Sequence, residues 1–239
     1  MLESFTYYAS TINCPKFRLT TTYRFSENAC YQTNTFYENS LKSKSDIQKE
    51  NEIFSQIPNI YNNKGGCSLF YYDSTNLQSI YDLLLGQINS LLQINPKFEI
   101  AILSSTKKGV KLLRDNLLHK LNEKQDQILI NTVDSVQGLT IDFCFYFAFS
   151  DGSPAFSFKL NRFNVATSRA RFCTLILLDE VYKVVQPYKG LVADFISKCY
   201  LNNDTYIPQI IEDVSNNDSV PPKTPGLKVI DKIDLSKFE

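Results

Sequence analysis

Two apolar patterns alternate along this chain. Short continuous runs occur at Cys67–Tyr72, Ile100–Leu103, Ile128–Val133, Ile141–Phe149 and Cys173–Leu178. They are too short for helices, and apolar on both sides. They predict strands buried on both faces of a sheet. Between the first two runs, Leu77, Ile80, Tyr81, Leu84, Ile88, Leu91 and Leu92 recur at helical spacing. This segment predicts a long helix capped by Ser74 and ended by Pro96. Further helices are expected over Lys107–Leu121, over a short amphipathic segment within Asn161–Arg171 and over Gly190–Leu201. In the amphipathic segment Phe163, Val165 and Ala166 share one side, and Arg162 reads as an ordinary helix-surface residue. Strands alternating with helices predict an α/β fold, a parallel sheet covered on both faces. Such sheets bind ligands at the carboxyl ends of their strands. The hydroxyl loop Ser104-Ser105-Thr106 and the turn Thr132–Gly138 are both expected on that edge.

The flanks are less regular. Phe17–Thr20 predicts a short strand leading into Thr22-Tyr23-Arg24-Phe25. Ser26 then caps a helix, with Glu27 in its first turn, that continues to Phe36–Leu41. Lys42–Gly66 is charged and rich in asparagine, an insertion or loop with a turn of helix over Ile47–Ile57. From Asn202 the chain turns to Asn, Asp, Pro and Lys, a tail or linker. The expected plan is an unplaced segment at 1–14, one domain at 15–201 and a polar tail at 202–239.

Composition narrows the function. With 239 residues, 43% of them hydrophobic, the chain can bury a core for one large domain. A formal net charge of +0 excludes a nucleic-acid binder driven by bulk charge, so any such contact is a local patch. Cysteines at positions 14, 30, 67, 144, 173 and 199 form no C-x-x-C pair, and His119 is the single histidine. Buried free thiols in a reducing compartment, and no metal site, are expected. No apolar run reaches transmembrane length, so the expectation is a cytoplasmic protein with no membrane partner. No G-x-x-x-x-G-K-[ST] phosphate loop occurs. Gly65-Gly66 is followed by Cys67-Ser68, and LILLDE at Leu175–Glu180 reads as a core strand ending in solvated acids.

Three strings carry a resemblance. TVDSVQG at Thr132–Gly138 is followed by Asp142, and NVATSRAR occupies Asn164–Arg171. Upstream stand Tyr23-Arg24, a helix, and Phe36-Tyr37 with Leu41. In order and spacing these resemble motifs IV, V and VI of superfamily 1 helicases, in the branch of the nonsense-mediated-decay helicase. One position departs: the family's motif V glutamate falls at Thr140.

The resemblance implies the second, carboxyl-terminal RecA-like domain of such a helicase: a P-loop NTPase-like fold without its own phosphate loop. ATP and Mg²⁺ would be held mainly by a first RecA-like domain, in the same or another chain. Arg24 and Arg169 match the arginine fingers, and Tyr23 matches the position that stacks on adenine. Gln137, Gly138 and Arg171 match nucleotide-facing positions. Ser104, Thr106, Thr132 and Ser135 are the candidates for phosphate contacts to single-stranded DNA or RNA. The isolated chain is expected to hydrolyse no ATP. Two other classes stay open: a non-catalytic nucleic-acid-binding module or decayed helicase remnant, and an unrelated phosphate-binding α/β enzyme.

Overall fold

A computed structural model describes residues 20–121, 127–149 and 154–201, all within the first of the two units into which the chain divides, Met1–Tyr206. The elements run β1 (Thr21–Thr22), α1 (Glu27–Thr33), β2 (Lys42–Ser43), α2 (Ile47–Phe54), β3 (Gly66–Tyr72), α3 (Leu77–Ile94), β4 (Ile100–Ser104) and α4 (Lys107–Leu121). They continue with β5 (Ile128–Thr132), β6 (Ile141–Ala148), α5 (Pro154–Ser157), α6 (Leu160–Thr167), β7 (Ala170–Asp179), α7 (Leu191–Ser197) and β8 (Tyr200–Leu201). The strand expected at Phe17–Thr20 lies outside the described residues except for Thr20, and the tail from 202 lies wholly outside them.

Six strands form one sheet in the order β5-β4-β6-β7-β3-β8, and every pairing is parallel. The central strand β6 is buried along its whole length. Successive side chains of a strand point to opposite faces. Phe143, Phe145 and Phe147 therefore join Leu84 and Ile88 of α3 and Leu113 and Leu117 of α4 on one face. Cys144, Tyr146 and Ala148 join Phe163 of α6 and Phe195 of α7 on the other. Covering both faces removes the polar alternation of a half-exposed strand, which is why these strands read as continuous apolar runs. The architecture is the expected RecA-like one.

Several boundaries differ from the sequence reading. The long helix is capped by Asn76, whose Oδ1 accepts from Ser79 N at 3.4 Å. Asp73 starts the short 3-10 turn Ser74–Asn76 before it, accepting from Thr75 N at 2.8 Å. Their side-chain carbonyl and carboxylate displace Ser74 from the capping role. Ser26 does cap α1, accepting from Ala29 N at 3.2 Å. That helix stops at Thr33 and a 3-10 turn ends at Phe36, because Glu38 and Asn39 adopt positive φ and turn the chain. The last helix stops at Ser197. Tyr200 and Leu201 leave it to pair with Ser68 and Leu69 as an edge strand.

The segment 42–66 is more than a loop. It contributes β2 and α2, and it puts Phe54 and Tyr61 into the core. Its closing Gly65-Gly66 has φ of +75° and +87°. A Cβ on Gly66 would come within 3.1 Å of the Ala29 Cα and 2.5 Å of Gln32 Oε1. These glycines let α1 lie directly against the start of β3, a packing role. Gln32, fully buried, accepts from Cys67 N at 2.7 Å. Its Nε2 donates to Cys67 O at 3.0 Å and to Lys198 O at 3.1 Å.

Candidate nucleotide-facing cleft and strand-facing loops

Tyr23, Arg24 and Arg169, far apart in sequence, line one cleft of about 330 Å³ with Thr33, Tyr37 and Ser168. Two local structures bring them together. β1 pairs with β2, and the Arg24 amide donates to Thr22 Oγ1 at 3.2 Å, turning the chain into the Ser26 cap. Arg169 occupies the junction between α6 and β7. A helix end exposes unpaired carbonyls and the negative pole of its dipole. Both guanidinium groups anchor there. Arg169 Nε donates to Val165 O at 3.0 Å, and its Nη2 donates to Ser168 Oγ at 3.3 Å. Arg24 Nη1 donates to Ser168 O at 3.0 Å.

These bonds use only part of each donor fork. Among the described residues neither arginine has a carboxylate partner. Burial, and then the charge of Arg24, lower the Arg169 guanidinium below its usual range. Two half-shielded like charges without a counter-ion favour an incoming anion, which relieves both. Tyr23 stands beside them with 73% of its surface exposed, an aromatic face open to a planar ligand.

This cleft sits at the amino-terminal edge of the sheet. Arg169 precedes β7, and its carbonyl accepts from the amide of Ile141, the first residue of β6. Gln137 and Gly138 approach the same edge. Leu139 N donates to Val136 O at 3.1 Å, Gln137 has φ −63° and ψ 123°, and Gly138 has φ +92°. That is a type II turn, which requires glycine at its third position. It leaves both residues exposed. Arg171 stands apart from the cleft lining. It pairs through Nη1 with Asp142 Oδ1 at 3.1 Å, while Asp142 Oδ2 accepts from Glu99 N at 2.9 Å.

The hydroxyl residues gather at the opposite edge. Ser104 ends β4 and lies in register with Thr132, which ends β5. Ser104 itself is fully buried, its hydroxyl accepting from Thr106 N at 3.4 Å. Thr106 Oγ1 accepts from Gly109 N at 3.0 Å and so caps α4. Ser135 is exposed and donates to Thr132 O at 2.6 Å. The segment from Thr132 to Ile141 thus starts at the carboxyl edge and ends at the amino edge, crossing from β5 to β6 past β4. The expectation that the whole Thr132–Gly138 turn lies on the carboxyl edge therefore holds only for its start.

Sequence reasoning missed Arg162. Its Nη2 pairs with Asp134 Oδ2 at 2.9 Å, and its guanidinium carbon lies 3.7 Å from the Phe156 ring centroid. The side chain is 26% exposed, so it is no ordinary surface arginine. Its spacing from Phe163 suggested only an outer helix face. Asp179, expected in solvent, is buried and caps the following turn by accepting from Val181 N at 3.1 Å. Among the described residues the cysteines are free, and no group of three or more His, Cys, Asp or Glu could hold a metal ion. No described helix is long and apolar enough to cross a membrane.

A search of curated protein sequences finds no match. Solved structures resemble the chain distantly. The helicase nsp10 of PRRSV aligns at 16% identity and TM-score 0.35, covering 76% of this chain and 28% of its own. The carboxyl-terminal domain of a possible DNA helicase from Lactobacillus plantarum WCFS1 aligns at 13% identity and TM-score 0.39, covering 66% and 97%. The UvsW helicase of bacteriophage T4 aligns at 11% identity and TM-score 0.38, covering 74% and 78%. The chain thus spans little more than a quarter of the PRRSV helicase it matches. A family profile described as an AAA domain (AAA_12) matches residues 2–180, three quarters of the sequence, so the chain belongs to that family, the carboxyl-terminal domain of superfamily 1 helicases.

Proposed function

We propose that this chain is the second motor domain of an ATP-dependent helicase acting on single-stranded DNA or RNA. The observation that carries the reading is the convergence of Arg24 and Arg169, without a carboxylate partner among the described residues, beside exposed Tyr23. That donor set suits a polyphosphate and an adenine ring. ATP supplies the reacting phosphoryl group and, with Mg²⁺, is held mainly by the phosphate loop of a first RecA-like domain, in the same or another chain. This chain contributes charge. Arg169 and Arg24 hold positive forks where negative charge develops on the transferring group, and their carbonyl anchors keep them there without reorganisation. Tyr23 stacks on the base. Gln137 and Gly138 face the nucleotide from the motif V turn, with Arg171 bracing the same edge. Thr106, Thr132 and Ser135, with the backbone around Ser104, grip strand phosphates without reading sequence.

The test is phosphate release. The isolated chain should release none above background. Joined to the first domain it should turn over ATP, and Arg169→Ala should lower the single-turnover rate by roughly 10³. Hydrolysis by the isolated chain that Arg169→Ala abolished would overturn the half-site reading. Indifference of the joined motor to both arginines would make the chain a non-catalytic binding module or remnant.

A further inference from the structure

Arg162 joins two segments that the proposed function assigns to different tasks. Asp134, its ion-pair partner, lies in the 3-10 turn Val133–Val136, beside Ser135 and two residues from Thr132. Arg162 itself lies in α6, which ends in the junction holding Arg169. Arg162 and Arg169 are seven positions apart, and the five helical residues after Arg162 rise roughly 7–8 Å toward that junction. Val133 and Val136 of the turn and Phe163 and Ala166 of the helix are buried in one cluster, so the two elements already touch on the inside. Arg162 closes them on the outside, stacked on Phe156 and paired with Asp134.

The ion pair itself adds little to stability, and the stack on Phe156 is the larger favourable contact. Asp134 is 60% exposed, and pairs with an exposed partner add little to folding. Arg162 Nη1 is moreover buried with no hydrogen-bond partner among the described residues, which costs free energy. What the geometry does supply is register. A planar guanidinium held between a ring face and a carboxylate has one orientation, so the turn cannot shift without moving the helix.

We infer that Arg162 is a positioning residue, a clasp that transmits strand occupancy at the Thr132–Ser135 turn to Arg169 at the end of α6. The inference rests on the motor-domain reading for what lies at each end, and on the Asp134–Arg162–Phe156 contacts for the link. It replaces the expectation that Arg162 is an inert surface residue.

Two measurements decide it. The first is hydrogen exchange in the chain alone. Arg162→Ala should speed exchange of the amides of Val136–Leu139 about tenfold, and Asp134→Ala should do the same for α6, both within the usual span of coupling effects. If neither substitution reaches the opposite element, there is no clasp. The second is the ratio of strand-stimulated to unstimulated ATP turnover in the joined motor. Arg162→Ala should cut that ratio about tenfold while unstimulated turnover stays within about twofold, and Asp134→Glu should retain it. Equal loss of both rates would mean a merely structural residue, and an unchanged ratio would mean no transmission. A parent motor with no ATP turnover would sink the motor reading and the transmission together, leaving the exchange result to judge the contact.

Discussion

The two edges of the sheet are built differently. At the amino edge, side chains from β1 and the residues after it converge with those of the α6–β7 junction, and Arg24 and Arg169 are fixed to helix-end carbonyls. At the carboxyl edge, hydroxyls from β4 and β5 mostly satisfy their own backbone: Thr106 caps α4 and Ser135 bonds Thr132 O. The first edge is pre-organised and carries unsatisfied charge. The second has its hydroxyls occupied locally, with Asp134 paired to Arg162 and the exposed Lys107 and Lys108 beside Thr106. A catalytic electrostatic site needs the former. A surface that a strand must slide across is served by the latter, whose contacts are weak and exchangeable. The contrast teaches that the charged cleft of a parallel sheet need not lie at the carboxyl ends of its strands.

The largest expected effect tests whether the amino edge acts by its fixed geometry. Arg169→Lys should lower single-turnover hydrolysis in the joined motor nearly as far as Arg169→Ala, by roughly 10³. ATP affinity, measured by equilibrium titration, should change far less. A lysine variant near the parent rate would reduce the site to bulk charge and blur the contrast.

Next comes the packing that holds that edge. Gly66→Ala forces a side chain into positive φ and against Ala29 and Gln32. It should cost about 2 kcal/mol or more in urea unfolding of the chain. Gly138→Ala meets no neighbouring atom, so its cost should be limited to about 1–2 kcal/mol of backbone strain. Equal losses would mean that close packing of α1 does not set the edge.

Smaller still is the carboxyl edge. Single-strand binding should be weak and fall steeply with salt, and Ser135→Ala or Thr106→Val should weaken it only a few-fold, consistent with about 1 kcal/mol per neutral hydrogen bond. Fluorescence anisotropy at two salt concentrations reads this. Tight, salt-insensitive binding of one sequence would assign the edge to another kind of reader.

The remaining effect is independent of both edges. Burial pushes the Cys144, Cys173 and Cys199 thiols up from their ordinary value of 9.0. The folded protein therefore keeps protons that the unfolded chain releases above about pH 9. Stability is fully present below that pH and declines as pH rises through it. Urea midpoints at pH 7 and pH 10 measure the decline, and labelling of the buried Cys144 and Cys173 should be slow in the folded state.

Much of this was legible in the sequence because strands and helices announce themselves by period. β4, β6 and α4 fall within a residue of their expected bounds. The arginine cleft was legible by resemblance, since Tyr23, Arg24 and Arg169 recur in family motifs, although no local pattern says that they meet. What stayed hidden was long-range and polar. Gln32 is a polar residue with no sequence signal of its partners, yet it is fully buried. Gly65-Gly66 looks like flexible loop until α1 is seen against it. Arg162 has the spacing of a solvated position, and only its contacts with Asp134 and Phe156 reveal a bridge.

Gln32 also bears on how the motor would move. Its amide exchanges two hydrogen bonds with Cys67, as a neighbouring strand residue would, so the side chain acts as a one-residue strand beside β3. A carboxylate could not imitate it, having no donor for Cys67 O. Helix α1 is thereby stitched into the sheet as if it were part of the ladder. Arg24, just ahead of that helix, shares a rigid body with β3. On the proposed reading, Arg24 would reach a nucleotide through movement between the two domains and not through a swing of its own within this one.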